Sequence, residues 1–421
     1  MPPPLSVACA RLRDVATPTS RSVTLVLTGA HGRVRGVLPP LDVPVPWWQE
    51  AAPVVAAARE RFGVQVTVLR LLHGGSAQAC GGPVTYLAEC DDEVPGLAPW
   101  AGPDPLAPDP LRMPWAVPGG PAADLRWAEG ALEAIDRPLA GRPEQVRTWN
   151  LSSLWRLPTA AGLVWLKAVP RFFAHEGAVL RRLDPAVVPT VLAHDGARVL
   201  LDDLPGDDLY GAQGDVLLQM VSLLVGLQAP WVDRCDELLA LGVPDRRAAR
   251  FVSRAQLTLE RTADQLDPAV RRACVRLLDT LDERFRALAD CGLPDTLVHG
   301  DFHSGNLIGD PVDVPGPTPG RLALLDWGDC VVGNPLLDRA AFLAGVPADE
   351  QSRVQSHWAE LWRTHQPGCH PERAATLIGP VAALHRAVVY DGFLQAVEPS
   401  ERVYHAGDPA RWLARAVASA P

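Results

Sequence analysis

Residues 297–307 read LVHGDFHSGNL, and the rest of the chain is best interpreted outward from this segment. Asp301 stands five residues before Asn306, on a stretch whose small residues are typical of a tight loop. Transfer of a phosphoryl group to a hydroxyl needs a carboxylate that orients the acceptor and takes its proton, with a neutral oxygen ligand for Mg²⁺ close by. The spacing therefore predicts that Asp301 is catalytic and that Asn306 is a metal ligand.

A second carboxylate, Asp326, follows the apolar run Leu322–Leu325 and precedes a glycine, Gly328. A carboxylate at the end of a buried strand can present a further Mg²⁺ ligand to the phosphates of a nucleotide. We therefore predict that Asp326 is the second metal ligand. The proline-rich segment Pro311–Pro319 is predicted to join two strands of a hairpin.

One lysine stands in the whole chain, Lys167, at the end of the predicted strand Val164–Lys167. A compact ammonium at a phosphate is not easily replaced by a planar guanidinium, which gives a reason for a lysine to persist here. We predict that Lys167 contacts the α- and β-phosphates. Glu176 begins the next predicted helix, nine residues later, and is expected to pair with Lys167 and hold it in place.

These segments together resemble the aminoglycoside phosphotransferase family of small-molecule kinases, over roughly residues 125–421. That family has an H-G-D-x-x-x-x-N loop, a D-W or D-F turn and a G-[DN]-P-x-x-D-x-A segment, and Gly333–Ala340 matches the last. The resemblance implies an α+β, bilobal protein-kinase-like fold with a small β-rich N-lobe and a mainly helical C-lobe. It also implies ATP or GTP and Mg²⁺ as cofactors. Asp338 and His299 are expected to brace the catalytic loop, and His303 to pack within it.

Two further nucleotide contacts are expected from the same resemblance. The loop at Ser152 and Ser153 would cover the phosphates with small polar residues, although it lacks the G-x-G-x-x-G of protein kinases. The segment Leu200–Gly206 would connect the lobes. There the backbone carbonyl of Asp202 and the amide of Leu204 would face the adenine edge.

The domain organisation is predicted from changes in composition. Residues 95–122 are a proline-rich linker, because nine prolines between Pro95 and Pro121 exclude a helix or a central strand. The N-lobe is assigned to 123–202 and the C-lobe to 203–421. Residues 1–94 form a small α/β accessory domain, which we expect to be separable from catalysis at the linker.

The helix of this accessory domain, in Ala56–Val64, weakly resembles that of a Nudix hydrolase. The Nudix reaction needs several glutamates to hold Mg²⁺, and only Glu60 stands near a usable position. The domain is therefore interpreted as a degenerate Nudix-like unit without hydrolase activity, with a binding or assembly role.

The composition of the chain argues against two classes of binding partner, nucleic acids and membranes. A net charge of −10 and a pI near 5.6 argue against a nucleic-acid-binding surface. The apolar run Leu217–Val232 is interrupted by polar residues and predicts a buried helix, so no membrane partner is expected. The eight cysteines form no C-x-x-C pair, and the N-terminus lacks a basic-then-apolar signal layout. These features favour a cytoplasmic protein with reduced thiols.

The acceptor is not written in a motif. A hydroxylated small molecule such as an aminoglycoside, another antibiotic or a sugar is expected, and fold alone does not choose among them. A cationic acceptor is compatible with the acidic charge. Asp329, Asp391 and Glu398 would suit a polyamine sugar and would equally suit solvent. The alternative function is a nucleotide-binding pseudokinase that acts as a sensor or scaffold, against which the intact catalytic set weighs.

Overall fold

The computed structural model describes residues 18–76, 79–310 and 321–420. The predicted hairpin loop Pro311–Pro319 lies outside the described residues. Within them, a β-rich part precedes a mainly helical part, as the resemblance implied. The predicted α+β, bilobal architecture is therefore confirmed.

The first unit is a mixed sheet of five strands with one helix. Its elements are β1 (Arg21–Thr28), β2 (Val34–Val37), β3 (Leu41–Val43), α1 (Ala52–Phe62), β4 (Thr67–Gly74) and β5 (Gly82–Glu89). The sheet order is β2-β1-β5-β4, β3 also pairs with β1, and only β1 and β5 run parallel. Glu60 lies exposed on α1. The Nudix-like assignment of this unit stays a prediction.

A second, antiparallel sheet carries Lys167. Its elements are α2 (Gly120–Glu133), β6 (Glu144–Trp149), β7 (Ser152–Thr159), β8 (Gly162–Ala168), α3 (Glu176–Leu180), β9 (Val191–His194) and β10 (Arg198–Asp202). The strand order is β6-β7-β8-β10-β9. One face of this sheet packs on α2 through a cluster that includes Leu132, Trp155 and Leu166. The opposite face is left to the active-site cleft.

The remainder is mainly helical, with two small sheets. Its helices are α4 (Asp215–Gln228), α5 (Cys235–Ala240), α6 (Ala248–Thr262), α7 (Pro268–Asp279), α8 (Leu281–Ala289), α9 (Leu336–Leu343), α10 (Gln351–His365), α11 (Pro371–Ala396) and α12 (Asp408–Ala418). Its strands are β11 (Asp207–Asp208), β12 (Thr296–Val298), β13 (Leu307–Gly309), β14 (Leu322–Leu324) and β15 (Val331–Gly333). The sheet orders are β11-β13-β14 and β12-β15.

The main hydrophobic core lies in this helical part and anchors the strands that carry the catalytic loops. Val298, Leu307 and Leu324 are fully buried in it. The predicted buried helix corresponds to α4, which contributes Leu224 and Val225 to the same core. Loops that leave such fixed strands have little freedom to move, so their polar side chains are held in position.

The first unit packs closely against the second sheet. The side chain of Gln145 donates to the carbonyl of Val68 at 2.7 Å and accepts from its amide at 2.9 Å. Glu401, in a 3₁₀ turn before α12, accepts from the amide of Leu71 at 2.8 Å. Removal of the first unit would leave these buried polar groups unpaired. The structure therefore argues against the expected separation at the linker.

Helix α11 is long and apolar enough to cross a membrane by length and composition alone. In the protein, 61% of its most apolar window is buried. It also contributes His385 and Arg386 to the interior. This pattern is typical of the core helix of a folded domain.

Candidate active site

The catalytic loop is braced by His299 and Asp338. The imidazole of His299 accepts from the amide of Asp301 at 3.3 Å and donates to the carbonyl of Leu325 at 2.8 Å. Asp338, on α9, accepts from the amides of His299 at 2.7 Å and Gly300 at 2.8 Å. Burial lowers the pKa of His299 to about 4, so the ring stays neutral and keeps both hydrogen bonds. The predicted bracing contacts are present.

Asp301 lies between a guanidinium and an imidazole. Arg386, on α11, approaches its Oδ1 at 3.1 and 3.2 Å, and His303 Nε2 lies 3.5 Å from its Oδ2. Burial alone would raise the pKa of Asp301, but the neighbouring His303 and the charge of Arg386 bring it below the ordinary range. The carboxylate is therefore ionised and able to accept a proton from a hydroxyl.

Lys167 joins the two lobes through a pair of carboxylates. Its Nζ donates to Glu176 Oε1 at 2.7 Å and to Asp326 Oδ1 at 2.7 Å. Burial lowers the pKa of Lys167, but the charges of Asp326 and Glu176 raise it by more than burial lowers it. The pKa of Lys167 therefore lies above its ordinary value. The predicted pair between Lys167 and Glu176 is thus present. The contact with Asp326 brings the lysine to the carboxylate predicted to bind metal.

The backbone of Asp326 is left-handed, with φ 61°. Such a conformation in a non-glycine residue costs on the order of 1 kcal/mol and is concentrated at functional sites. The side chain of Asp326 is 48% exposed, and one of its oxygens is bound by Lys167. The turn therefore holds a charged carboxylate out of the core and toward the cleft.

The residues present fit a magnesium ion that is shared with a nucleotide. Asn306 donates through its side-chain nitrogen to the carbonyl of Asp301 at 2.9 Å, which leaves its side-chain oxygen for a metal. Asp326 follows Leu325, whose amide donates to the backbone carbonyl of Asn306 at 2.8 Å, and its carboxylate is exposed. Within the described ranges no group of three His, Cys, Asp or Glu residues forms a metal site by itself. Mg²⁺ commonly takes one or two protein ligands and completes its shell with phosphates and water.

The two serines of the phosphate loop do not behave alike. Ser152 lines the cleft together with Lys167 and Asp326. Ser153 is buried, and its hydroxyl accepts from Trp155 on the face that packs toward α2. Successive residues of a strand point to opposite faces. The prediction that both serines cover the phosphates is therefore wrong for Ser153.

Mainly aromatic side chains narrow the cleft at the turn between β6 and β7. Trp149 and Leu151 pack with Phe173, Tyr390 and Phe393. The space left is about 70 Å³, enough for only a few water molecules. This part of the cleft is therefore narrow.

The connector between the lobes holds its acidic side chains by local contacts. Asp202 accepts from Arg137 at 3.0 Å, and Asp203 accepts from the indole of Trp165 at 2.7 Å. The predicted base contacts, at the carbonyl of Asp202 and the amide of Leu204, stay predictions.

Three residues of the centre were missed or misinterpreted from sequence. Arg386 binds the catalytic carboxylate from a helix 85 residues further along the chain. His303 was expected only to pack, but Gly305 donates to its Nδ1 at 3.0 Å, and its Nε2 lies 3.5 Å from Asp301 Oδ2. Asp329 lies beside Asp301 and Asp326, and burial and these two charges raise its pKa well above the ordinary value. No local motif marks these residues.

Of the three acidic residues suggested for a polyamine, only Asp329 lies at the reaction centre. Asp391 accepts from Thr258 at 3.1 Å and pairs with Arg261 at 3.0 Å. Glu398 pairs with Arg70 and Arg112, at the first unit and the linker. Neither carboxylate is free to receive an ammonium group at the reaction centre.

The profile of the phosphotransferase enzyme family (APH) matches residues 145–375, more than half of the chain. No curated protein matches the sequence.

Among solved structures, a macrolide 2′-phosphotransferase from Brachybacterium faecium is 19% identical, with a TM-score of 0.46, covering 68% of this chain and 97% of its own. Choline kinase from Streptococcus pneumoniae is 15% identical, with a TM-score of 0.47 and coverages of 70% and 99%. An aminoglycoside 2′-phosphotransferase in complex with GDP is 16% identical, with a TM-score of 0.47 and coverages of 70% and 98%. These similarities do not indicate the acceptor of this chain.

Proposed function

This chain belongs to the phosphotransferase enzyme family, and on that premise we propose that it transfers the γ-phosphate of ATP or GTP to a hydroxyl group of a small molecule. The observation that supports this most directly is the joint placement of Lys167, Asp301 and Asp326 around one cleft. A cation for the phosphates, an ionised carboxylate for the acceptor and an exposed carboxylate for the metal are the parts that such a transfer requires.

Each residue around the cleft has a defined part in the proposed reaction. Asp301 orients the acceptor hydroxyl and accepts its proton, and Arg386 keeps that carboxylate ionised. Lys167 would hold the phosphates at the position that Glu176 sets. Asn306 and Asp326 would hold Mg²⁺, which when bound neutralises charge on the phosphates.

The alternative of a pseudokinase is less well supported. A chain that only binds nucleotide has no need for an ionised carboxylate held between Arg386 and His303. Burial of so many charges costs free energy. Buried charges are nevertheless retained at sites where charge develops during a reaction, because they stabilise the transition state.

We also propose a cytoplasmic location, because all seven cysteines within the described part of the chain are buried and unpaired. The acceptor is proposed to be a free small molecule, with no nucleic-acid or membrane partner.

The proposed function is tested by incubating the full chain with Mg²⁺ and γ-labelled ATP or GTP, together with a panel of hydroxylated compounds. We expect label in a product that carries one added phosphate. Asp326→Asn serves as the blank, because it keeps the shape of the side chain and removes the charge that binds metal. Nucleotide binding without transfer to any acceptor would favour the pseudokinase.

A further inference from the structure

A cavity of about 440 Å³ opens beside the catalytic loop. Gly300 and His303, which flank and contact Asp301, form its nearest wall, and Arg386 lines both this cavity and the phosphate cleft. Sites that enclose small molecules commonly measure about 300–1,000 Å³. A hydroxyl placed at this wall would lie next to the catalytic carboxylate, so the cavity is the natural place for an acceptor.

The wall of this cavity is apolar. Helices α9 and α11 contribute the small side chains of Ala340, Ala341, Ala382 and Ala383, and the aromatic rings of the lining include Phe302 and Trp412. Among the described residues that line it, none is aspartate or glutamate. Its two arginines are Arg386, already bound to Asp301, and Arg415, which is exposed and lies 5.1 Å over the ring of Trp412. The interior thus offers a ligand no free charge.

This lining is unfavourable for a polyamine. An ammonium group that leaves water needs a carboxylate partner or loses several kcal/mol of hydration free energy. Here no described lining residue is a carboxylate, and Asp301, at the wall, is already paired with Arg386. An uncharged apolar body meets no such penalty and gains about 25 cal/mol for each Å² of apolar surface buried.

One polar group of the lining points to a ligand. His385 is only 3% exposed, and its Nε2 has no hydrogen-bond partner within the described part of the chain. Burial, together with the charges of Arg246 and Arg386, lowers the pKa of this imidazole well below its ordinary value. A neutral ring nitrogen of this kind pairs with an uncharged hydroxyl or carbonyl oxygen.

We propose that the phosphate acceptor is an uncharged, largely apolar alcohol, bound in this cavity with its reacting hydroxyl at Asp301 and a second polar group at His385. This inference rests on the proposed phosphotransferase function. It replaces the expectation of a cationic acceptor with that of an uncharged, apolar one.

The test uses two probes of the same size, 2-(1-naphthyl)ethanol and 2-(1-naphthyl)ethylamine, which differ only in a hydroxyl against an ammonium group. We expect the alcohol to bind the full-length protein with one-to-one stoichiometry and at least tenfold more tightly than the amine, as measured by calorimetry. Ala382→Phe and the milder Ala341→Leu, which fill the cavity, should weaken the alcohol. Ala289→Phe, on the exposed face of α8, should leave its affinity unchanged.

Equal or tighter binding of the amine, or no measurable binding of the alcohol, would overturn the proposal. So would cavity-filling variants that fold normally and bind the alcohol as the parent does. Nucleotide binding and transfer are measured on the same samples. Transfer to an aminoglycoside would overturn the acceptor class and leave the phosphotransferase function standing, whereas absence of ATP and GTP binding would remove that function whichever probe binds.

Discussion

The two sides of Asp301 differ sharply in charge. Toward the nucleotide, Lys167, Glu176 and Asp326 are linked by hydrogen bonds of 2.7 Å. Toward the acceptor cavity, no described lining residue carries a carboxylate. Buried charges cost free energy and are retained where a reaction moves charge, while an apolar wall is sufficient to bind an apolar body. Under the proposed function, the chemistry and the acceptor preference would be carried by separate surfaces, so that mutations can address each alone.

The largest effect is expected for Asp301→Asn. The amide keeps the shape of the side chain but cannot accept the proton, so kcat should fall by about 10³-fold. Asp301 contacts only the reacting hydroxyl of the acceptor, and the oxygen of the amide can still accept a hydrogen bond from it. The affinities for ATP and for naphthylethanol should therefore change by less than about threefold. Single-turnover kinetics and calorimetry provide the measurements. A normal kcat with a true acceptor would contradict the assignment.

The next effect concerns the charged side alone. Lys167→Arg keeps the charge, but its guanidinium is larger and its donors lie in a rigid fork, so it cannot reach Glu176 and Asp326 as the ammonium does. We expect loss of roughly 3 kcal/mol of transition-state stabilisation, on the order of a hundredfold in rate. Glu176→Gln should cost less. The double mutant should be strongly non-additive, because the residues act as one unit. Additive losses would indicate that Lys167 and Glu176 act independently.

A smaller effect distinguishes the two arginines at the cavity. Arg386→Gln removes a charge that holds the pKa of Asp301 below its ordinary range. The acid limb of the kcat/KM profile should then move to higher pH, with a loss of about tenfold at low pH that is partly recovered as pH rises. Arg415→Gln, at the rim, is the matched control and should leave the limb in place. Identical pH profiles for both variants would contradict the role of Arg386 in lowering the pKa of Asp301.

The smallest effect at neutral pH is on stability, and it concerns buried neutral histidines on both sides. Burial lowers the pKa of His299 to about 4 and that of His385 well below its ordinary value. The unfolded chain therefore binds protons below about pH 6.5 while the folded chain does not, so stability falls as the pH falls from there toward 4. A histidine with a pKa near 4 contributes on the order of 3 kcal/mol to this loss.

His385→Asn should flatten this acid slope, as measured by urea unfolding at several pH values. Burial raises the pKa of Glu401 to about 8, and this acid acts with the opposite sign, since its contribution is lost as pH rises above about 4.5. The comparison of the variant with the parent isolates the histidine from that contribution. An unchanged slope would mean that His385 already carries a proton in the folded state.

Much of the charged side could be predicted because its residues lie on short local motifs. Asp301 and Asn306 share one loop, and Lys167 and Glu176 are nine residues apart with a strand and a helix between them. At such short separations the local backbone limits where a side chain can lie. Ser153 was misplaced because the apolar pattern did not show where β7 begins, and a shift of one residue moves a side chain to the other face.

The cavity side could not be predicted in this way. Asp391 and Glu398 were reasonable partners for a cation by charge alone, yet each is paired with arginines elsewhere. Arg386 and His385 are adjacent on one helix, but only the packing of α11 against the catalytic loop and α6 gives them different surroundings.

The sequence by itself determined the fold class and the phosphotransferase family, and it predicted the residues proposed to carry the reaction, because phosphoryl transfer demands particular side chains at short spacings. Only the tertiary structure decided which charges face the acceptor. An acceptor cavity is built from elements far apart in the chain, here the catalytic loop, α9, α11 and α12. Its polarity depends on which charges have already been paired during folding, and that pairing is set by three-dimensional packing.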